Sequence, residues 1–73
     1  MSPERIGAQF ARNLTEARGW AGMTQTELGE RVSLRFQQIG KLERGEQLPR
    51  LDLIVRLAEA LELQVRDLLF EIE

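Results

Sequence analysis

The chain has 73 residues, enough for one small domain that we expect to span residues 1–73. It contains no cysteine and no histidine, which excludes disulfides and removes the usual zinc ligands, a thiol nucleophile and the commonest general base. We therefore expect no enzymatic activity, no metal and no cofactor. No apolar run approaches the roughly 20 residues of a membrane span, and no basic stretch followed by an apolar one begins the chain. These patterns predict a cytoplasmic protein with no membrane partner.

Charge is distributed unevenly along the chain. Residues 1–30 have a net charge of −1, from three basic and four acidic side chains. Residues 31–50 hold five basic and two acidic side chains, a net charge of +3, whereas residues 51–73 hold two basic and six acidic ones, a net charge of −4. Because phosphate neutralisation drives nucleic-acid binding, the basic middle segment could meet such a partner despite the overall charge of −2. The acidic end would face a different partner.

The first predicted helix begins at Ser2, which can cap a helix with Pro3 in its first turn. Its apolar residues recur every three or four positions and form one stripe. They are Ile6, Phe10, Leu14, Ala17 and Ala21. The helix ends at Gly22 or, because glycine weakens a helix interior, already at Gly19.

Two short helices follow. Thr24 and Glu27 form a capping box, in which each side chain accepts a hydrogen bond from the other residue's backbone N–H. This opens the second helix. The third is predicted over residues 35–43, with Ile39 and Leu42 facing inward.

The fourth helix is predicted from about Arg50 to Glu62 and the fifth from Arg66 to about Phe70. On the fourth, one stripe faces the core and two leucines fall beside it. The stripe comprises Leu51, Ile54, Val55, Ala58 and Leu61, and the two leucines are Leu53 and Leu57. The last four residues alternate apolar and charged, which is typical of an edge strand or of a frayed helix. The fold class is therefore all-α, with five short helices.

On the third helix, Gln37 and Lys41 lie opposite Ile39 and Leu42, because successive residues are rotated by about 100°. A glutamine amide matches the donor and acceptor of adenine, and a lysine matches the acceptors of guanine. A polar face of this kind is also what an ordinary solvated helix has. Spacing alone therefore does not decide between the two readings.

Two motifs at a fixed offset resemble the Xre, or lambdoid phage repressor, helix-turn-helix family. The first is Met-Thr-Gln-Thr-Glu-Leu at residues 23–28, and the second is Ile-Gly-Lys-Leu-Glu-Arg-Gly at residues 39–45. The likeness runs without a gap from Phe10 to about Leu69. It implies a compact five-helix lambda-repressor-like DNA-binding domain in which the second and third helices form the helix-turn-helix.

The resemblance also assigns roles to residues. Gln25 matches a position that contacts phosphate and braces the third helix, Arg44 matches a backbone-contacting position, and Gln38 lies where it could reach phosphate. The positions that face base edges are Arg35, Phe36, Gln37 and Lys41. Phe36 would contact thymine methyl groups or be partly buried against the second helix. Arg18 and Glu43 match a pair that forms a structural salt bridge.

Five residues depart from the family's usual pattern, and one of them is Phe36, which stands where a polar side chain is common. Gly29 stands where alanine is usual, and Arg35 replaces a serine that would cap the third helix. Ser33 replaces a glycine, so it must adopt a strained turn or the turn differs slightly. Glu62 replaces a glycine at the end of the fourth helix.

One recognition helix reads only a few base pairs, and domains of this family therefore usually bind double-stranded DNA as homodimers. We expect a transcriptional regulator of the phage-repressor or restriction–modification controller type, acting on a pseudo-palindromic operator that includes its own promoter. Residues 63–73 would contribute to dimerisation, and the apolar candidates for the interface are Leu53, Leu63, Leu69, Phe70 and Ile72. An antitoxin that binds a protein partner, a bundle without DNA binding, and a contact with RNA polymerase remain open alternatives.

Overall fold

The computed structural model describes residues 1–72, and in those residues the regular secondary structure is entirely helical. The helices are α1 (Pro3–Ala21), α2 (Gln25–Val32), α3 (Phe36–Glu43), α4 (Leu51–Ala60) and α5 (Val65–Leu68). α3 packs against α1 and α2, while α4 packs against α2 and α5, and α5 returns to α1. The predicted all-α fold of five short helices is confirmed.

The first two helices begin and end at the residues that carry local signals. The Ser2 hydroxyl accepts a hydrogen bond from the Arg5 N–H at 3.3 Å, and α1 continues to Ala21 before Gly22 turns left-handed with φ of 70°. The alternative end at Gly19 is therefore wrong. The capping box before α2 is complete in both directions, with donor–acceptor distances of 3.0 and 2.8 Å.

The last two helices are shorter than predicted. α4 ends at Ala60, and Glu62 then adopts left-handed backbone with φ of 58°, which a helix cannot contain. α5 covers Val65–Leu68 instead of reaching Phe70. Residues 69–71 form turns and Ile72 has no regular secondary structure, so the edge strand is wrong for the described part of this segment, and Glu73 lies outside the described residues. The turns follow α5 directly, as at a frayed helix end, and the Leu69 N–H still donates to the Val65 carbonyl at 3.2 Å.

The core joins all five helices around side chains that are at most a few per cent exposed. Its members are Phe10, Leu14, Leu28, Val32, Ile39, Leu42, Leu57, Ala58, Leu61 and Leu68. The predicted inward face of α4 is partly wrong, because Leu57 is fully buried while Leu51 is 71% and Val55 39% exposed. Seven of the ten residues of α4 are apolar, so their periodicity could not select the stripe that meets α2 and α5.

Asn13 ties the end of the chain to α1. This residue is 7% exposed, and its side-chain amide donates to the Leu68 carbonyl at 2.8 Å and to the Phe70 carbonyl at 2.9 Å. The side-chain oxygen of Asn13, Oδ1, accepts a hydrogen bond from Gln9 Nε2 at 2.9 Å. Sequence analysis did not single out Asn13, which satisfies backbone groups that the short α5 leaves unpaired.

Candidate nucleic-acid interface

The turn between α2 and α3 brings the two helices close together. Ser33 adopts left-handed backbone with φ of 60°, and the Leu34 N–H donates to the Gly29 carbonyl at 2.8 Å. A Cβ atom on Gly29 would lie 2.4 Å from the Leu34 carbonyl oxygen, so a larger residue would force the backbone apart. Two departures from the family pattern therefore meet at one tight turn, because Ser33 forms the turn and Gly29 leaves room for the backbone that follows it.

α3 has a buried side and an exposed side. Ile39 is 0% and Leu42 2% exposed, whereas Gln37 and Lys41 are exposed. The predicted division of this helix is confirmed. The side chains on its outer side thus point away from the core and are accessible to a ligand as large as a DNA duplex.

The first turn of α3 is capped by Gln38, since the arginine at the cap position contributes no side-chain acceptor. The exposed Arg35 donates its backbone N–H to Gln38 Oε1 at 2.9 Å. The loss of a side-chain cap predicted for Arg35 is confirmed, and the glutamine partly replaces it. Phe36 lies outside the core and is 50% exposed, which leaves much of its ring free for a contact with thymine methyl groups.

A hydrogen-bonded cluster holds the end of α3 to α1 and α2. Arg18 donates from Nε to Glu43 Oε2 at 2.6 Å and from Nη2 to Glu43 Oε1 at 3.0 Å, and its Nη1 reaches the Met23 carbonyl at 2.8 Å. Gln25 Nε2 donates to the same Glu43 Oε1 at 3.0 Å. The pairing of Arg18 with Glu43 that the resemblance implied is thus present, and Gln25 does brace α3.

This cluster is shielded from water. The Glu43 side chain is 6% and the Arg18 side chain 20% exposed. The hydrogen bond to Glu43, more than the opposite effect of burial, raises the pKa of Arg18 above its ordinary value. A charged pair in these surroundings fixes the angle between α3 and the rest of the domain, because neither partner can be solvated elsewhere.

Arg44, at the carboxyl end of α3, lies back along the helix. A Cβ atom on Gly40 would be 2.9 Å from Arg44 Nη1 and 3.8 Å from Gln25 Nε2, so the guanidinium occupies the space that glycine leaves open. Arg44 Nε also donates to Glu46 Oε2 at 2.5 Å. No local sequence pattern indicates that Glu46 contacts a predicted DNA-binding residue, and only the folded loop shows it.

The site therefore collects most of its predicted members on one part of the surface. Gln25 and Arg44 both border Gly40, and Gln37, Gln38 and Lys41 are exposed on the same helix. Among residues 1–72 no group of acidic side chains has the arrangement of a metal site. A polar surface that carries cations and amides on an exposed helix has the chemistry that reads a DNA groove.

Comparison with known proteins agrees with this geometry. Residues 14–68 match the model of the helix-turn-helix family HTH_3. The match covers three quarters of the chain and includes the whole α2–turn–α3 unit, so the chain belongs to this family of DNA-binding helix-turn-helix domains. The resemblance to the Xre type is thereby confirmed.

Two relatives are uncharacterized HTH-type transcriptional regulators of Sinorhizobium fredii. The chain is 37% identical to y4wC over 43 residues, which are 59% of this chain and 30% of that protein. It is 33% identical to y4aM over 57 residues, which are 78% of this chain and 40% of that protein. The chain thus spans less than half the length of these relatives.

Solved structures share the fold. The restriction–modification controller protein C.AhdI from Aeromonas hydrophila superposes with a TM-score of 0.87 at 29% identity, over 93% of this chain and 99% of that one. The hypothetical transcription factor NHTF from Neisseria gives 0.85 at 26%, over 96% and 80%. An HTH_3 family transcriptional regulator from Vibrio cholerae gives 0.86 at 21%, over 92% and 38%.

None of the helices in the described part of the chain combines the length and the apolarity that a membrane span requires.

Proposed function

We propose that this protein is a sequence-specific transcriptional regulator that binds a pseudo-palindromic operator as a homodimer and acts on DNA upstream of its own coding sequence. The observation that carries the proposal is α3 itself, anchored by Ile39, Leu42 and Glu43 with Gln37 and Lys41 exposed on its outer side. Similarity to C.AhdI over nearly the full length of both chains favours the controller type among small regulators. Its place of action would be the cytoplasm.

In the proposed complex the exposed residues divide into two groups. Gln37, Lys41 and Arg35 read base edges in the major groove, with the Phe36 ring against thymine methyl groups. Phosphates are bound by the second group, which fixes the register of α3 on the duplex. Its members are Gln25, Gln38 and Arg44. Gln25 suits this role because it stands at the first position of α2, where backbone N–H groups favour an anion.

A homodimer would place two α3 helices in successive major grooves. Of the five apolar candidates for its interface, Leu63 is 36% and Phe70 63% exposed. The other three pack partly against the core, and they are Leu53, Leu69 and Ile72. Leu63 and Phe70 line a groove of about 440 Å³ between α1 and the end of the chain, together with Trp20, which is 91% exposed.

We infer that this groove is the dimer surface. A tryptophan that is almost wholly exposed beside two other apolar side chains is costly for a monomer and typical of the centre of an interface. Trp20 is not among the residues of the predicted apolar stripe of α1, and its place in the groove is visible only in the folded chain.

The test of base reading compares Gln37→Ala with Glu59→Ala, which truncates an exposed polar side chain on α4 outside both proposed surfaces. Fluorescence anisotropy would measure binding to the DNA protected in a footprint of the upstream region and to a random duplex of equal length. We expect Gln37→Ala to reduce discrimination between the two by about 1–3 kcal/mol, while Glu59→Ala leaves it unchanged. Equal weakening on both duplexes would show that Gln37 only positions the protein.

The dimer surface is tested by sedimentation equilibrium of Phe70→Glu against Leu51→Glu. Both residues are exposed and apolar, but Leu51 lies at the start of α4, away from the groove. We expect Phe70→Glu to sediment as a monomer and Leu51→Glu as a dimer. The reverse result would place the interface on α4, and a wild-type chain that stays monomeric on DNA would favour a separate protein partner.

A further inference from the structure

Arg44 and Glu46 form an ion pair on the surface predicted to meet DNA. Arg44 Nε and Glu46 Oε2 are 2.5 Å apart, and the side chains are 59% and 52% exposed. The hydrogen bond from Arg44 is the main reason why the pKa of Glu46 is lowered, and the nearby charge of Lys41 adds to the effect. One carboxylate therefore faces two of the cations assigned to DNA binding.

The path of the Arg44 side chain places this carboxylate within the site. Because the guanidinium lies over Gly40 and near Gln25, Arg44 is held against α3 and does not extend freely from the loop. Glu46 engages the Nε edge of that guanidinium. A DNA phosphate that approached Arg44 would meet an edge already occupied by an oxygen of the same charge sign.

Carboxylate and phosphate oxygens bind a guanidinium through the same N–H groups. Both side chains of the pair are more than half exposed, and ion pairs of this kind are weak and exchange readily. Arg44 can thus be released to a phosphate, but its charge is neutralised until that happens.

We propose that Glu46 is an intramolecular competitor of the DNA phosphate, which holds Arg44 in the free protein and lowers affinity for all DNA sequences. The inference rests on the proposed DNA binding and adds a residue that sets its strength. Base reading by α3 is left untouched, since Glu46 acts only on a phosphate contact. Its effect is to weaken the salt-dependent binding that would otherwise retain the protein on random DNA.

The experiment compares wild type with Glu46→Gln on a random-sequence duplex and on the upstream DNA, by fluorescence anisotropy at several salt concentrations. Glu59→Gln on α4 is the control, because it removes the same charge elsewhere. We expect Glu46→Gln to bind both duplexes roughly 3- to 10-fold more tightly at low salt. This gain should shrink as the salt concentration rises, because salt screens the exposed ion pair that holds Arg44 in the free wild-type protein.

A double-variant cycle tests whether the effect passes through Arg44. In an Arg44→Gln background, Glu46→Gln should change the affinity less than twofold. An equal gain in that background would show that the carboxylate repels DNA by itself, and a weaker affinity of Glu46→Gln in the wild-type background would show that it positions Arg44. Either result overturns the proposal.

A readout without DNA separates this inference from the proposed function. In the free protein, the resonance of the Arg44 Nε–H should shift in Glu46→Gln relative to Glu59→Gln, and its proton should exchange faster with water. An identical resonance in both variants would show that Glu46 does not hold Arg44 in the free protein. A wild-type chain that binds neither duplex refutes the proposed function, and the competition with it. A chain that binds DNA equally well with or without Glu46 refutes the competition alone.

Discussion

Replacing Arg18 by methionine removes a cation from a shielded pair while keeping the aliphatic stem and the helix propensity of the site. Glu43, at 6% exposure, then retains a single hydrogen bond, the one from Gln25 at 3.0 Å. Removing one partner of a buried pair costs about 3–5 kcal/mol, because a charge remains without solvent or counterion. Since the Arg18 side chain is 20% exposed, we expect Arg18→Met to lower the free energy of unfolding by about 3 kcal/mol, at the lower end of that range.

Such a loss is a large part of the stability of the domain. At about 0.05–0.15 kcal/mol per residue, 73 residues correspond to roughly 4–11 kcal/mol in total. A destabilisation of about 3 kcal/mol should lower Tm by about 12–24 °C in a domain of this size. Circular dichroism at 222 nm during urea unfolding is the suitable assay, because it follows the loss of the five helices themselves.

The matched control is Arg12→Met on the same helix. Arg12 pairs with Glu16 at 3.3 Å, but the two side chains are 74% and 61% exposed, so the loss should stay below about 0.5 kcal/mol. Adding Glu43→Gln to Arg18→Met should recover about 2 kcal/mol relative to the sum of the single effects, since no buried charge is then left. A cost below 1 kcal/mol for Arg18→Met, or strict additivity in the double variant, would refute the reasoning.

Two further predictions concern α2. The hydrogen bond from the Thr24 backbone N–H is the main reason why the pKa of Glu27 is lowered from its ordinary value of 4.5. The Glu27 carboxylate therefore stabilises the fold fully above pH 4.5, and this stabilisation is lost as the pH falls through the lowered pKa. In urea unfolding the difference between wild type and Glu27→Gln should therefore shrink from pH 6 to pH 3, and a difference that stays constant over this range would contradict the role of the cap. Ser33→Gly should raise the stability by about 0.5–1 kcal/mol, because glycine relieves the left-handed backbone, and an unchanged or lower Tm would contradict that strain.

Local signals made much of the fold predictable. The caps at Ser2 and Thr24 and the left-handed Gly22 depend on residues three positions apart or fewer, and the structure contains each of them. The split of α3 into two sides followed from the spacing of Ile39 and Leu42 in the same way. Interactions within one turn of helix are encoded in neighbouring residues and need no knowledge of what packs against them.

Contacts between distant residues were beyond such signals. Arg18 and Glu43 are 25 residues apart, and only resemblance to a family indicated their pairing. The Asn13 side chain donates to the Leu68 carbonyl 55 residues away, and no periodic pattern predicts this contact. Glu46 was passed over because a charge on a loop has no defined neighbours until the loop conformation is known.

The sequence by itself therefore determined the class of fold, the family and the side of α3 that is free to meet DNA, since these follow from periodicity, caps and two motifs. Only the tertiary structure decided which stripe of α4 is buried, that Trp20 joins Phe70 in one groove, and that Arg44 lies over Gly40 in contact with Glu46. The physical reason is the same in each case. An apolar or charged side chain is equally suited to several partners, and the packing of the helices selects one of them.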